Sequence, residues 1–591
     1  MSTYYKSEEW DLSGVLPSDL PRKYRKIERL VENFEKRKQY LRKGIQKRSL
    51  LHSLSLLEKI VSDLSVVDAG VTMNFSANNT DDNASKLLSS VEQFQSQINN
   101  RTLFFKSWIL GLSDKEFERI TSGLGELEAY LRELRRFKQY AIKDDIEKTV
   151  NLKNVTGSST LKKIHDLIVG DFKFPAIIDG TREEMTESQI ASDLTHPDPK
   201  KRARVYEKLD SKYNAFAPIL FESYKGIVRD WHNEYIEIRG YPSAISVQNF
   251  ENEIPDDVVK TLLKVCKDNT YLFQEYFKMK SKICRIQDKM SITDVYAPVL
   301  DATNQKSTFN KGAKSVLKSI EEFSPEEYEL ALKLFDKHHI HSKIKHNKEI
   351  ESYAFTMPPG FVPYLLINYT GERRVVLFLA HEIWHTIHDQ LSIANHSVLT
   401  CSSTLALAET ASTFGELQYS ESQLRQAGND KALKKEILTI QLDEIYHHVL
   451  KKAYMVMFEQ EAHQMINSKN GATLEDISNL YYAGLKEQFN GVLTIPDYFK
   501  NEWMQYPSIF DTPFYSYSYV LGQLLSLYFH DKFKKDGRQF VPRFEKLLSY
   551  GGSAPPGVIL NEMGMDISSE ASLQKCFKPI EKRISALEKL I

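Results

Sequence analysis

The segment His381, Glu382, Ile383, Trp384, His385 makes chemical sense only as a helix. Residues four apart sit one above the other on a helical face, so both imidazoles can reach one metal ion. Glu382 lies to the same side but off the metal, where it can take a proton from a bound water. The run from Glu372 through Val375, Val376, Leu377, Phe378, Leu379 and Ala380 is strongly apolar. A buried helix extending to about Leu391 is predicted, which suits a dry metal site.

Zinc in a catalytic site takes three protein ligands plus water. A third histidine shortly after the second is one way to complete the set, but Leu391 stands at that place and the route fails. A carboxylate from the next helix is the other way. The stretch Leu405 to Glu416 is rich in helix formers and sets Glu409 among small residues that permit close approach. Ser392 to Ser402 is long enough to turn the chain back. One Zn2+ per chain, held by His381, His385 and Glu409, is therefore expected, with Glu382 as the base. Glu416, two turns beyond Glu409, can brace a ligand histidine. His388 extends the stripe of rings and can orient substrate or pack as a core histidine. The pairs His338–His339 and His447–His448 are neighbours that face apart on a helix, so neither suggests a second metal site.

The composition excludes several classes. Net charge is −1 over 591 residues, which gives no general attraction to nucleic acid or to an anionic membrane. The basic stretch Arg22 to Arg48 also carries Glu28, Glu32 and Glu35 with Leu30, Val31 and Phe34 at helical spacing; it reads as a solvated amphipathic helix. Cys266, Cys284, Cys401 and Cys576 are far apart, which suggests neither a thiolate zinc site nor a disulfide framework. The polar opening has no signal-peptide core and no apolar run is long enough to cross a bilayer, so a cytoplasmic protein is expected.

Helix signals run from end to end, notably over Lys200 to Arg239 and Asp256 to Ile286. Ser113 with Glu116, and Ser324 with Pro325, Glu326 and Glu327, have capping spacing. The clearest strand is Phe361 to Tyr369, bounded by Pro358, Pro359, Gly360 and by Gly371. Asn74 to Ser89 reads as an exposed loop. A polar break from Asp193 to Lys201 places a boundary between an N-terminal helical lobe, 1–195, and a catalytic domain, 196–591.

Several ordered segments together resemble the M3 family of zinc peptidases, in particular its oligoendopeptidase F type. They are Trp10 to Ser13, Arg239 to Pro242, Asn368 to Gly371, Glu409 to Ser412, Pro513 to Tyr519, Gly551 to Ser553 and Gly564 to Asp566. The resemblance spans nearly the whole chain. It implies a mainly α, two-lobed helical shell enclosing a deep substrate channel, with a small β-sheet near the zinc-binding helix. It also implies oligopeptide substrates and a monomer or weak homo-oligomer. The strand Leu365 to Tyr369 would pair with substrate backbone. Tyr517, with Tyr515 next, would supply a phenolic donor to the oxyanion, and Asn368, Tyr369, His388 and Tyr519 would contact substrate.

Two positions depart from the family pattern: Trp384 replaces a glycine, and Ser508 stands where a histidine is usual. The implied activity is zinc-dependent hydrolysis of internal bonds in short unstructured peptides. The alternatives are a metal-retaining peptide-binding protein on the same scaffold and a helical interaction scaffold with a chance motif.

Overall fold

The computed structural model describes residues 4–178, 181–286, 288–299, 306–345, 347–349 and 351–591. The protein is 71% helical with few small sheets, which makes it mainly α as expected. The predicted helix over Lys200 to Arg239 is present as Pro199–Trp231, passing into a π-helical His232–Ile238. The second long stretch is broken at Asn269 into Asp256–Asp268 and Thr270–Ile283.

Two compact units are formed, each from three stretches of chain. The first contains 1–141, 304–419 and 532–565; the second contains 142–303, 420–531 and 566–591. These packing units run across the sequence division expected near residue 195 and are a separate matter from it.

The first unit opens with helices α1 (Leu20–Glu35), α2 (Lys47–Ala77) and α3 (Asp82–Gly111). Ile27, Val31 and Phe34 on the inner face of α1 are fully buried against residues of α2 and α3. The outer face keeps the charges, as the amphipathic reading required, but the helix ends at Glu35 and the rest of the basic stretch to Arg48 is a short 3-10 turn, a loop and the start of α2. The exposed loop expected over Asn74 to Ser89 is much shorter. Helix α2 runs to Ala77 and the Asp81 carboxylate caps α3 by accepting from the amides of Asn83 and Ala84. Polar composition there reflects helix ends rather than a long connection.

Further along come α4 (Phe309–Phe323) and α5 (Pro325–Asp336), separated by Ser324, whose hydroxyl caps α5. Three short strands follow: β1 (Ile340–His341), β2 (Tyr353–Phe355) and β3 (Tyr364–Leu366). The order is β1-β3-β2, parallel on one side of β3 and antiparallel on the other. The expected strand is thus shorter than predicted, and it is the middle strand. Trp10 packs edge-on to Tyr364 and sits in one core with Met357, Tyr364 and Leu366, tying the N-terminal segment to the sheet. Helices α6 (Arg373–Ile393), α7 (Leu405–Gln426) and α8 (Val541–Leu548) complete the elements around the site.

All four cysteines are buried and unpaired. Among the described residues no helix is long and apolar enough to cross a membrane.

Candidate metal centre

Helix α6 presents the two histidines as the spacing demanded. Their Nε2 atoms are 3.2 Å apart. Oε2 of Glu409, from α7, lies 3.5 Å from His381 Nε2 and 3.8 Å from His385 Nε2. One tetrahedral edge between ligands with bonds of about 2.0–2.2 Å is roughly 3.3–3.6 Å long. The three donor atoms therefore already lie near the corners of a single zinc coordination shell. Their chemistry, two imidazoles and a carboxylate, is also that of catalytic zinc.

The surroundings orient these groups. Glu409 is buried, and the Ser412 hydroxyl donates to its Oε2 at 3.1 Å. The His381 Nδ1 donates to Oε1 of Glu416 at 2.6 Å, which leaves Nε2 facing Glu409 and His385. Burial opposes charging His381. The Glu416 hydrogen bond and the charges of Glu416, Glu382 and Glu409 outweigh it and push the ring up to about 9. His385 is held well below the ordinary range by burial, with charged His381 adding to the effect. In the absence of an ion the pair thus carries one proton that a metal must displace.

Glu382 is buried, and its Oε2 has no hydrogen-bond partner. Burial pushes its carboxyl up to about 7, with Glu409 and Glu416 adding to that while His381 and the backbone N–H of Ala354 oppose it. A carboxylate poised near neutrality, with an unfilled oxygen in a buried cluster, suits a general base. The Ala354 contact comes from β2. A second tie from the same region is Thr356 Oγ1 donating to Asp389 Oδ2 on α6 at 2.8 Å. Both edges of β3 are occupied, by β1 and β2. Leu365 and Leu366, the start of the stretch expected to receive substrate, therefore have no open edge, and β2 is the edge strand beside Glu382. Nothing in the sequence marks Tyr353–Phe355 for this, because three residues without alternation carry no periodic signal.

Other expected residues are placed as follows. His388 is buried, and its ring is pushed down to about 3 by burial, with His385 adding to the shift. Asn368 donates to the Glu349 carbonyl at 2.8 Å. The Tyr369 hydroxyl donates to the Thr308 carbonyl at 3.3 Å, and its ring packs edge-on against Phe309. Both side chains are engaged in the fold of the first unit. In the second unit, Tyr517 is fully buried; its hydroxyl accepts from Asn252 at 2.9 Å and lies 3.3 Å from the Gln248 carbonyl. Tyr515 and Tyr519 are half-buried with hydroxyls 3.2 Å apart.

Trp384 does not shape a substrate pocket. It is fully buried among Phe323, Phe414 and Phe544. Gly415 on α7 makes the room, since a Cβ there would fall inside the indole. Of the histidine pairs, His447 meets the Tyr296 hydroxyl and His448 the Gln523 amide oxygen, and among the described residues neither joins a metal-holding group.

The model of peptidase family M3 matches residues 194–579, and the model named Oligopeptidase F matches 108–174. The chain belongs to peptidase family M3. It is therefore a metallopeptidase by descent, and the His381–His385–Glu409 cluster lies inside the matched region. The oligoendopeptidase F homolog of Borreliella burgdorferi is 23% identical, covering 99% of this chain and 98% of its own. Oligopeptidase PepF of Bacillus subtilis is 22% identical over 99% of this chain and 88% of its own. Among solved structures, oligoendopeptidase-F from Enterococcus faecium superposes with a TM-score of 0.73 at 17% identity, covering 96% of this chain and 98% of that one. PZ peptidase A with an inhibitor superposes at 0.78 with 16% identity, covering 96% and 98%. These likenesses show that the helical fold is shared.

Proposed function

We propose that this M3 peptidase is a zinc-dependent oligoendopeptidase, with His381, His385 and Glu409 as metal ligands and Glu382 as general base. The observation that carries the reading is the cluster of three donor atoms at tetrahedral spacing beside a buried carboxylate with an unfilled oxygen.

Zinc, when bound, would lower the pKa of its water to about 7 and polarise the scissile carbonyl. The chain supplies the rest. Glu382 takes the proton at its free oxygen and hands it to the leaving amine, a transfer that suits a carboxyl near 7. Glu416 keeps His381 in the tautomer with Nε2 bare. The edge of β2 offers extended peptide a strand to pair with, which recognises backbone and asks little of side chains. That preference fits unstructured oligopeptides.

A peptide-binding protein without turnover is the second reading, favoured by Ser508 and Trp384, the two departures from the family pattern. A mixture of unstructured peptides digested by wild type, Glu382→Ala and Glu409→Ala separates the readings. Hydrolysis is expected in wild type only, with zinc retained by Glu382→Ala and lost from Glu409→Ala. Equal product patterns from wild type and Glu382→Ala would remove the base from the mechanism.

A further inference from the structure

A second group of carboxylates lies in the first unit, where α5 begins and α8 passes. One oxygen each from Glu326, Glu327 and Glu545 come within 4.8 Å of one another. Glu327 is fully buried, and neither of its carboxylate oxygens has a hydrogen-bond partner. That is the costly arrangement: a buried carboxylate without a partner has lost hydration that nothing replaces. The Ser324 hydroxyl cannot settle it. It is 2.9 Å from Glu326 Oε2 and 3.3 Å from Glu545 Oε1, and has one proton to give. No lysine, arginine or histidine forms an ion pair with any of the three among the described residues. The start of α5 favours negative charge, and its first amides, those of Glu326 and Glu327, donate to Ser324 Oγ.

We propose that Glu326, Glu327 and Glu545 bind one divalent cation of the calcium type, distinct from the zinc cluster. The donors are all oxygen, which selects hard cations over zinc. Calcium bonds of 2.3–2.6 Å span about 4.6–5.2 Å across the ion, enough to reach all three carboxylates where they stand. Glu326 is exposed and Glu545 half-buried, so water can complete the six to eight ligands calcium takes. Burial, with the nearby Glu545 charge, also pushes the Glu327 carboxyl up to about 7. A proton shared between Glu327 and Glu545 is thus the competing way to relieve the repulsion.

The site has a structural consequence. Phe323 and Phe544 each neighbour a member of the group in sequence, and both rings pack on Trp384 of α6. An ion there ties the α4–α5 corner to α8 behind the helix that carries the two histidines.

The test uses full-length protein loaded with one zinc, titrated calorimetrically with calcium and then with magnesium, with melting temperature followed in parallel. One calcium per chain is expected, with magnesium weaker, zinc content unchanged and a melting temperature that rises with calcium occupancy. Glu327→Gln and Glu326→Gln should each weaken calcium at least tenfold; Glu326 is exposed, so its variant keeps the fold if the buried one does not. No heat and no melting shift at millimolar calcium would overturn the proposal in favour of the shared proton. So would calcium binding that both variants leave intact, or magnesium binding as tightly. Peptide hydrolysis is not read, so the result stands apart from the assignment of the zinc cluster.

Discussion

His381 Nδ1 donates to Glu416 Oε1 across 2.6 Å, and that bond decides which ring nitrogen faces Glu409. An imidazole without such an acceptor can swap tautomers or rotate, and the donor set then loses a corner. Glu416→Ala is expected to lower zinc affinity by about 10–100-fold while leaving the helical fold intact. Competition with a chelator of known affinity measures it. Affinity within twofold of wild type would show that Glu416 has no part in positioning the ring.

The same relationship sets a pH dependence. His381 ordinarily titrates near 6.5, but here its proton is held up to about 9. Metal needs the neutral Nε2, so zinc must displace that proton at every pH below about 9. Apparent affinity should rise about tenfold per pH unit between 6.5 and 8.5. Chelator competition across that range gives the slope, and a flat profile would contradict it. In Glu416→Ala the slope should weaken near neutrality, because the main support for the charged ring is gone.

Much of this site is legible in the sequence because its chemistry is local. His381, Glu382 and His385 are fixed by one helical period, and Glu409 by a second helix of unambiguous composition. The remaining features depend on what lies across a tertiary contact. That Ala354 of a three-residue strand bonds to Glu382, or that Gly415 is the cavity for Trp384, has no signature in either segment alone. The tyrosines show the same limit differently. Their spacing marks a special stretch, yet only the fold reveals that Tyr517 is already held by Asn252 and Gln248.

Trp384 and Gly415 form a size-complementary pair, and each explains the other. Gly415→Ala would drive a methyl into a fully buried indole and is expected to cost at least about 1–3 kcal/mol, the usual range for overpacking. Trp384→Ala alone should cost about 3–5 kcal/mol through the cavity it leaves. In the double variant the methyl enters that cavity, so the two losses should add to less than their sum by 1 kcal/mol or more. Urea denaturation of the four proteins measures the coupling. Strict additivity would mean that the contact does not govern either residue.

Glu459 and Phe514 supply a pH effect on stability away from the metal cluster. Phe514 has a left-handed backbone, φ 63°, which is costly for a bulky residue, and its N–H donates to Glu459 Oε2 at 2.7 Å. Burial pushes the Glu459 carboxyl up to about 8, against its ordinary 4.5, although the Phe514 amide pulls it back. Between pH 4.5 and 8 the folded chain therefore keeps a proton that the unfolded chain has released. The contribution is fully present below about 4.5, falls by at most about 1.4 kcal/mol per pH unit through that window, and levels off above 8. Glu459→Gln retains an oxygen for the amide but has nothing to ionise. Its stability relative to wild type should rise steadily from pH 5 to pH 8, read by chemical denaturation at each pH. Glu459→Ala lacks the acceptor and should be destabilised at low pH as well, by about 1–3 kcal/mol for the orphaned N–H. If the Gln variant tracks wild type at every pH, the carboxyl is not held protonated in the folded chain.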